Sequence, residues 1–265
     1  MSTLTEYSMV NRTYADRINM VANESFTKRE IVYFRENISK VATGDELMED
    51  YRLYRFAMKA FGLESEIYAK GLMRKVFDEG VADKKSTANL MSDEAYRDIA
   101  TAFGFAETGN LNMLFEHNVD DIVDKYLKLE LEERVGESNQ GVRLALYFER
   151  KIGDVEDWYS VIGDPALYEV ARTMLGLPQE FVQTDVDKQV AYFEKRLPIE
   201  DLKDPAKLDK WMQRFTAMWD VAQTPATGID LAANGIAPIQ PLGSTAEIIG
   251  IDPALLADLA QYKLR

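Results

Sequence analysis

The feature that most constrains the fold of this 265-residue chain is an internal repeat. Residues 33–63 align without a gap on residues 147–177, at an offset of 114, and ten of the 31 aligned positions are identical. Such self-similarity indicates an ancient duplication of one structural unit. The identical pairs are Tyr33/Tyr147, Phe34/Phe148, Ile38/Ile152, Val41/Val155, Asp50/Asp164, Leu53/Leu167, Tyr54/Tyr168, Ala57/Ala171, Gly62/Gly176 and Leu63/Leu177.

The spacing of apolar residues predicts helices in and around the repeat. Apolar side chains recur every three or four residues over 208–219 and over 119–135, which places them on one face of a helix. Gly136 is expected to end the second of these helices and Ser138 to cap the next. Alternating Val/Ile/Thr-rich runs, the usual sign of strands, are hard to find. The sequence therefore predicts an all-α protein.

A shorter motif opens with aspartate, often followed by proline. An aspartate at the N-cap accepts hydrogen bonds from free backbone amides, and proline suits the first helical position. Glycine closes several copies and can provide the left-handed stop of a helix. We interpret these aspartates as helix starters and not as catalytic groups. They are Asp50, Asp93, Asp164, Asp204 and Asp252.

The repeat and the caps together predict a helical body over 1–220. Its two duplicated multi-helix units are pseudo-repeats at about 28–106 and 137–220, linked by 107–136. Within them we expect a third helix over 64–79 in the first half and over about 185–196 in the second. The polar stretch 106–118 is the expected linker, and the helix that follows it would bridge the halves.

The C-terminal stretch 221–265 differs in kind, because proline and glycine recur through 224–250 and prevent a long helix. We expect an extended tail along the helical body or on a partner, with a short helix over 252–262. The stretch still contains many apolar residues, which are Ile229, Leu231, Ile236, Ile239, Leu242, Ile248 and Ile249.

Composition excludes several classes of function. There are 31 basic and 45 acidic side chains, a net charge of −14, and no basic cluster of the kind that binds nucleic acid. The absence of cysteine excludes disulfides and thiolate metal sites. No segment approaches the ~20 apolar residues of a membrane span, so we expect no membrane insertion.

One acidic motif allows an enzymatic alternative. Asp120, Asp121 and Asp124 spell DDxxD, the pattern with which all-helical isoprenoid synthases hold Mg²⁺ and a diphosphate. No second acidic motif is found, and acidic residues also suit the first turn of a helix. His117, the single histidine, is interpreted as a surface or capping residue. We therefore assign no catalytic, cofactor-binding or metal-binding residue.

Two further groups favour structure over chemistry. Trp158 with Tyr159, Trp211 and Trp219 could line a ligand groove, but aromatic residues at helical spacing more often belong to the core. Charged residues between 130 and 143 could form ion pairs between two helices; they are Glu130, Glu132, Glu133, Arg134 and Arg143. Phosphate-binding glycine motifs and the hydrolase elbow are absent from the sequence.

Several stretches resemble a bacterial family catalogued as a domain of unknown function and often encoded among flagellar genes. The resemblance covers about 28–220 and rests on DYRLYRFAMKAFGL (50–63), YLKLELEERVGE (126–137), RLALYFER (143–150), WYSVIGDP (158–165), LGLP (175–178) and DKQ (187–189). It implies an all-helical fold and a link to the flagellum. It supplies no catalytic residues.

The resulting hypothesis is a non-enzymatic protein of the flagellar system, either a structural component or an assembly or export factor, that acts by binding protein partners. The start of the sequence lacks the apolar stretch of a signal peptide. We therefore expect the protein in the cytoplasm, or exported through the flagellar apparatus. The alternative is an all-helical Mg²⁺-dependent diphosphate enzyme or small-molecule binder built on Asp120, Asp121 and Asp124.

Overall fold

The computed structural model describes residues 1–223, which form helices joined by turns, with no strand among them. The predicted all-α fold is confirmed. The predicted tail beyond Gln223 and its terminal helix lie outside the described residues. The helices are α1 Thr3–Arg12, α2 Tyr14–Asn23, α3 Ser25–Asn37, α4 Gly44–Glu49, α5 Tyr51–Ala60, α6 Lys70–Glu79, α7 Thr87–Leu90, α8 Ala95–Phe103, α9 Phe105–Thr108, α10 Glu116–Ser138, α11 Gln140–Lys151, α12 Trp158–Gly163, α13 Pro165–Met174, α14 Val186–Arg196, α15 Ile199–Lys203 and α16 Pro205–Gln223.

The described chain divides into two compact units. The first unit is Met9–Ser138, and the second combines Met1–Ser8 with residues 139–223. The long helix α10 belongs to the first unit, where it packs along α5 and α2. None of the helices over 1–223 is both long and apolar enough to cross a membrane.

The two segments of the sequence repeat have the same local structure. Helices α4 and α12 begin and end at equivalent positions, and so do α5 and α13. Asp50 Oδ1 accepts hydrogen bonds from the amides of the second and third residues after it, and Asp164 does the same. The second carboxylate oxygen of each aspartate accepts a 2.6 Å hydrogen bond from the hydroxyl of the tyrosine 17 residues before it, Tyr33 or Tyr147. An origin by duplication stays an interpretation of this likeness.

The capping role is confirmed for Asp50, Asp164 and Asp204, whereas Asp93 lies one residue before Glu94, the N-cap of α8. Asp204 accepts from the amides of Ala206 and Lys207 at the start of α16, and Asp93 accepts from the amide of Ala95. Each such cap stabilises its helix by about 1 kcal/mol. Asp252 lies outside the described residues.

The core of the first unit is rich in aromatic side chains. Phe77, Phe103 and Phe105, from α6, α8 and α9, meet with ring centres 5.2–6.0 Å apart. Phe34 and Phe56 stack on each other between α3 and α5. Burial of such large apolar side chains is the main force that holds short helices together.

The second unit packs α13 against α11 and α16, and α12 against α14. Trp158 is buried and stacks on Phe193 at 4.7 Å. Trp211 and Trp219 are half-buried and Tyr159 is exposed, so the predicted core role holds fully only for Trp158.

Three local expectations were wrong. Helix α10 passes through Gly136 and ends at Ser138, because a helix tolerates glycine at a cost of about 1 kcal/mol. Asn139, and not Ser138, caps α11 by accepting from the amides of Gly141 and Val142. The helix expected over 64–79 is a 3₁₀ turn at Glu64–Glu66 followed by α6.

The stretch 106–118 contains the end of α9, a 3₁₀ turn at Leu111–Leu114 and the start of α10. Asn110 donates to the carbonyl of Ser39, and Asn112 donates to that of Ala102. Gly104 and Gly109 adopt positive φ at 61° and 62°, which lets the chain reverse twice within a few residues. Asparagine side chains thus supply partners for carbonyls that a helix would otherwise satisfy.

Candidate functional site

The clearest candidate site is a groove on the first unit, along the outer face of α5. Arg52, Arg55 and Lys59 lie three and four residues apart, so their side chains project from one face of the helix. The groove has a volume of about 220 Å³. Its lining residues are Phe26, Glu30, Tyr51, Arg52, Arg55, Phe56, Lys59 and Tyr126.

The floor of the groove is an aromatic stack. The Phe56 ring lies between those of Phe34 and Tyr126, with centres 4.3 and 4.0 Å away and interplanar angles of 19° and 9°. All three residues are buried. Since α3, α5 and α10 each contribute one ring, the stack fixes these helices relative to one another within the unit.

Lys59 is the most unusual residue of the groove, because it is charged and only 8% exposed. Its Nζ lies 2.8 Å from a carboxylate oxygen of Glu130 and 2.7 Å from one of Glu133. The Tyr126 hydroxyl donates to Glu130 at 2.9 Å. A lysine in an apolar environment needs such partners, since an unpaired buried charge costs several kcal/mol.

The pKa values of the pair reflect this arrangement. Burial alone would lower the pKa of Lys59, but hydrogen bonds to Glu130 and Glu133 outweigh it, and the pKa is raised. Burial would raise the pKa of Glu130, but bonds from Lys59 and Tyr126 lower it. Both shifts lead away from neutral pH, so the two groups form a fixed ion pair and not a general acid and base.

The two arginines of the groove are paired as well. Nε of Arg52 donates to both carboxylate oxygens of Glu30, at 3.1 and 3.0 Å. The Arg52 guanidinium also lies 4.0 Å from the centre of the Tyr33 ring. Nε of Arg55 donates to Glu64 at 3.2 Å. Every cation of the groove is therefore neutralised from within the unit.

The rim of the groove is apolar and open. Phe26 is 50% exposed and Tyr51 is 54% exposed, and both line the groove. Because the charges are already paired and the floor is aromatic, the groove suits an apolar side chain better than a free ion.

The carboxylates of the DDxxD motif do not form a site together. Asp120 pairs with Arg35, while Asp121 and Asp124 are exposed on α10. His117 is exposed, with its ring 5.8 Å from that of Phe115. Across residues 1–223, no group of three or more carboxylate or histidine side chains is placed to hold a metal ion.

Sequence reasoning anticipated part of the Lys59 cluster. It expected Glu130 and Glu133 to form ion pairs between helices, and they do so between α10 and α5. It missed Lys59 itself. The signal was a lysine inside the apolar run Phe56-Ala57-Met58-Lys59-Ala60-Phe61, where the second repeat segment has Thr173.

Comparisons with known proteins place the chain in a family. A family model described as "Protein of unknown function (DUF1217)" matches residues 60–208. The chain belongs to the DUF1217 family. The matched range of DUF1217 includes Glu64, Glu130 and Glu133, and begins one residue after Lys59.

A solved structure agrees with this assignment. The crystal structure of a protein from Agrobacterium tumefaciens, a structural genomics target, is 38% identical in sequence. It covers 84% of this chain and 97% of its own, with a TM-score of 0.77. No curated protein matches the chain. The comparisons thus support the all-helical fold.

Proposed function

We propose that this protein acts in the bacterial flagellar system by binding other proteins, as a structural component or as an assembly or export factor, and not as an enzyme. The flagellar link rests on the family resemblance of the sequence. The observation that carries the binding role is the groove along α5, with an aromatic floor, an aromatic rim and charges that are already paired.

The size and the composition of the groove favour a protein partner. Pockets for small molecules usually measure about 300–1,000 Å³, and this groove is smaller. Tyrosine and arginine are enriched among the residues that dominate binding energy at protein interfaces. Tyr51, Arg52 and Arg55 lie together here, beside a well-packed floor. Such a surface suits one large side chain of a partner.

The charges indicate the chemistry of that partner. Four carboxylates, those of Glu30, Glu64, Glu130 and Glu133, are paired with the three cations of the groove. The surplus of negative charge in the groove and the net charge of −14 favour a partner segment in which an apolar side chain is followed by a basic one. The carboxylates of this groove would repel an acidic segment placed in it.

Deletion of the gene tests the flagellar role. We expect impaired swimming and fewer or shorter filaments, restored by the wild-type gene. Normal motility with normal flagella in the deletion strain would contradict the proposal. Detection of the protein in purified filaments or in the culture supernatant would favour a structural or exported component. Detection in the cytoplasm alone would favour an assembly factor.

Complementation with point variants tests the groove. Phe26→Ala combined with Tyr51→Ala removes both rim side chains, which are half-exposed, so the fold should be little affected. We expect this variant to fail to restore motility. The matched control, Tyr68→Ala with Leu90→Ala, removes two exposed apolar side chains outside the groove and should restore it. Equal restoration by both variants would exclude the groove as the binding surface.

A further inference from the structure

The second unit has a basic face on α16 that the proposed function does not use. Lys207, Lys210, Trp211 and Arg214 recur at intervals of three, one and three residues, which places them on one side of the helix. Together they line a shallow depression of about 280 Å³. We refer to these four residues as the α16 basic face.

Two of the three cations on this face have no carboxylate partner within residues 1–223. Lys207 pairs with Asp201 at 2.6 Å, in an exposed ion pair that contributes little to stability. Lys210 forms no ion pair within residues 1–223. Arg214 donates from Nε to the carbonyl of Met174 and lies 5.9 Å from the Trp211 ring, without a carboxylate among the described residues. The groove on α5 differs, since each of its cations is paired.

Although the chain has a net charge of −14, these cations lie together on one side of a helix, beside a tryptophan. Trp211 lies between Lys210 and Arg214 and is half-buried, so part of its indole faces solvent. Positive charge beside an exposed indole offers both electrostatic attraction and an apolar contact. The face is therefore suited to a ligand with carboxylates on either side of an apolar group.

We propose that the α16 basic face binds an acidic helical segment of a partner protein. Lys207 and Arg214 are about 10 Å apart along the helix axis, given a rise of about 1.5 Å per residue. A partner helix with carboxylates three and four residues apart would place one opposite each cation. An apolar side chain between those carboxylates would cover Trp211. This inference is independent of the groove and of the flagellar assignment.

Other polyanions fit this face less well. Non-specific binding to nucleic acid rests on neutralisation of many phosphates, and three cations release few counterions. Binding to an anionic membrane surface uses clusters of about four to eight basic residues. The charge of the whole chain would repel both of these large polyanions, whereas a short acidic segment meets only the local field.

Titration of the full-length, isotope-labelled protein with a synthetic peptide tests the proposal. The peptide forms about four helical turns and has glutamates spaced three and four residues apart around one leucine. Its control has glutamine at each glutamate. We expect amide shifts over α16 and a shift of the Trp211 indole resonance, assigned with Trp211→Phe. Binding should weaken as salt rises from about 50 to 200 mM.

Matched variants locate the site. Lys207→Gln with Lys210→Gln should weaken binding of the glutamate peptide about tenfold, because two exposed charge pairs are lost. Lys84→Gln with Lys85→Gln, which removes two exposed charges elsewhere, should change it less than about twofold. Lys207→Glu with Lys210→Glu should instead bind a lysine version of the peptide.

Four outcomes would overturn the proposal. The first is no shift over α16, and the second is equal shifts with the glutamine peptide. The third is stronger binding to a DNA duplex or to phosphatidylserine vesicles than to the glutamate peptide. The last is the same set of shifts on raising the protein concentration alone, which would assign the face to a second copy of this chain.

Discussion

Helices α5 and α13 show what the two repeat segments share and where they differ. Both begin at an aspartate held by a tyrosine, and both end in Gly-Leu with the glycine at positive φ. The residues at the groove positions of α5 and at the equivalent positions of α13 are unlike. Where α5 has Arg52, Arg55 and Lys59, α13 has Ala166, Glu169 and Thr173. The shared residues build the helix and its supports, and the unshared ones form the groove.

This division of roles has a physical reason. Capping, burial of an apolar face and termination impose the same demands on any copy of such a helix. These demands do not fix which polar residue stands at the position of Lys59 and Thr173, so one segment can have a paired lysine there and the other a threonine. Function is therefore to be sought at the positions where the two segments differ, and the following experiments test that view.

The largest difference is expected at the position shared by Lys59 and Thr173. Lys59→Met leaves the buried Glu130 with Arg134, at 3.5 Å, as its remaining cation, and should lower the free energy of unfolding by about 2 kcal/mol. Thr173→Val should cost less than about 1 kcal/mol. Far-UV circular dichroism during urea unfolding measures both variants. All three tryptophans lie in the second unit, so their fluorescence follows that unit alone.

A second substitution checks the cause of this loss. Glu130→Gln added to Lys59→Met removes the buried carboxylate charge, which Arg134 alone would otherwise pair, and keeps an acceptor for the Tyr126 hydroxyl. The double variant should recover a large part of the lost stability. If it were less stable than Lys59→Met alone, packing and not charge would explain the effect.

The pH dependence of Lys59→Met should reveal the pKa of Glu130. In the wild type this pKa lies below the ordinary value for glutamate, so the ion pair stabilises the fold above that ordinary value and stops doing so as the pH falls through the folded-state pKa. Without Lys59, burial raises the pKa of Glu130, and the folded state gains protons more readily than the unfolded one. The stability gap between the two proteins should therefore narrow from about pH 7 to about pH 5. Parallel profiles would contradict this assignment.

The aspartate caps that the two segments share should contribute equally to the stability of both segments. Asp50→Ala and Asp164→Ala each remove a cap that contributes about 1 kcal/mol, together with the hydrogen bond from Tyr33 or Tyr147. We expect similar losses of unfolding free energy, and smaller losses for the two Asp→Asn variants, because asparagine still caps. Amide hydrogen exchange in α5 and in α13 measures the loss of stability in each segment separately. A loss of stability in only one of the two segments would show that the two caps are not equivalent.

The starts and ends of these helices could be predicted from the sequence, because they depend on residues that are close together in the chain. Aspartate before a periodic apolar run and glycine after it predicted α5 and α13 to within a residue or two, and aspartate alone predicted the start of α16. The predicted end of α10 at Gly136 was wrong, because a long helix that is packed on one side tolerates a glycine. Asn139 was overlooked in favour of Ser138, although asparagine caps as well as serine.

The groove could be predicted only in part, because its parts are far apart in the sequence. Glu130 and Lys59 are 71 positions apart, and no local pattern pairs them. The aromatic stack joins Phe34, Phe56 and Tyr126 from three helices. Helix packing decides these contacts, and the repeat indicated only which positions differ between its segments.

The smallest expected effect concerns the glycines that end α5 and α13. Gly62 and Gly176 have φ of 76° and 66°, and the leucine after each donates to a carbonyl five residues back. Alanine is strained at positive φ, so Gly62→Ala and Gly176→Ala should each lower stability by about 1 kcal/mol. A Cβ at position 176 would lie 3.2 Å from Met218 Cε, against 3.9 Å from Leu129 Cδ2 at position 62. The loss of stability should therefore be slightly larger for Gly176→Ala, and the shift in melting temperature measures it. A larger loss for Gly62→Ala would mean that the two helix ends are under unequal backbone strain.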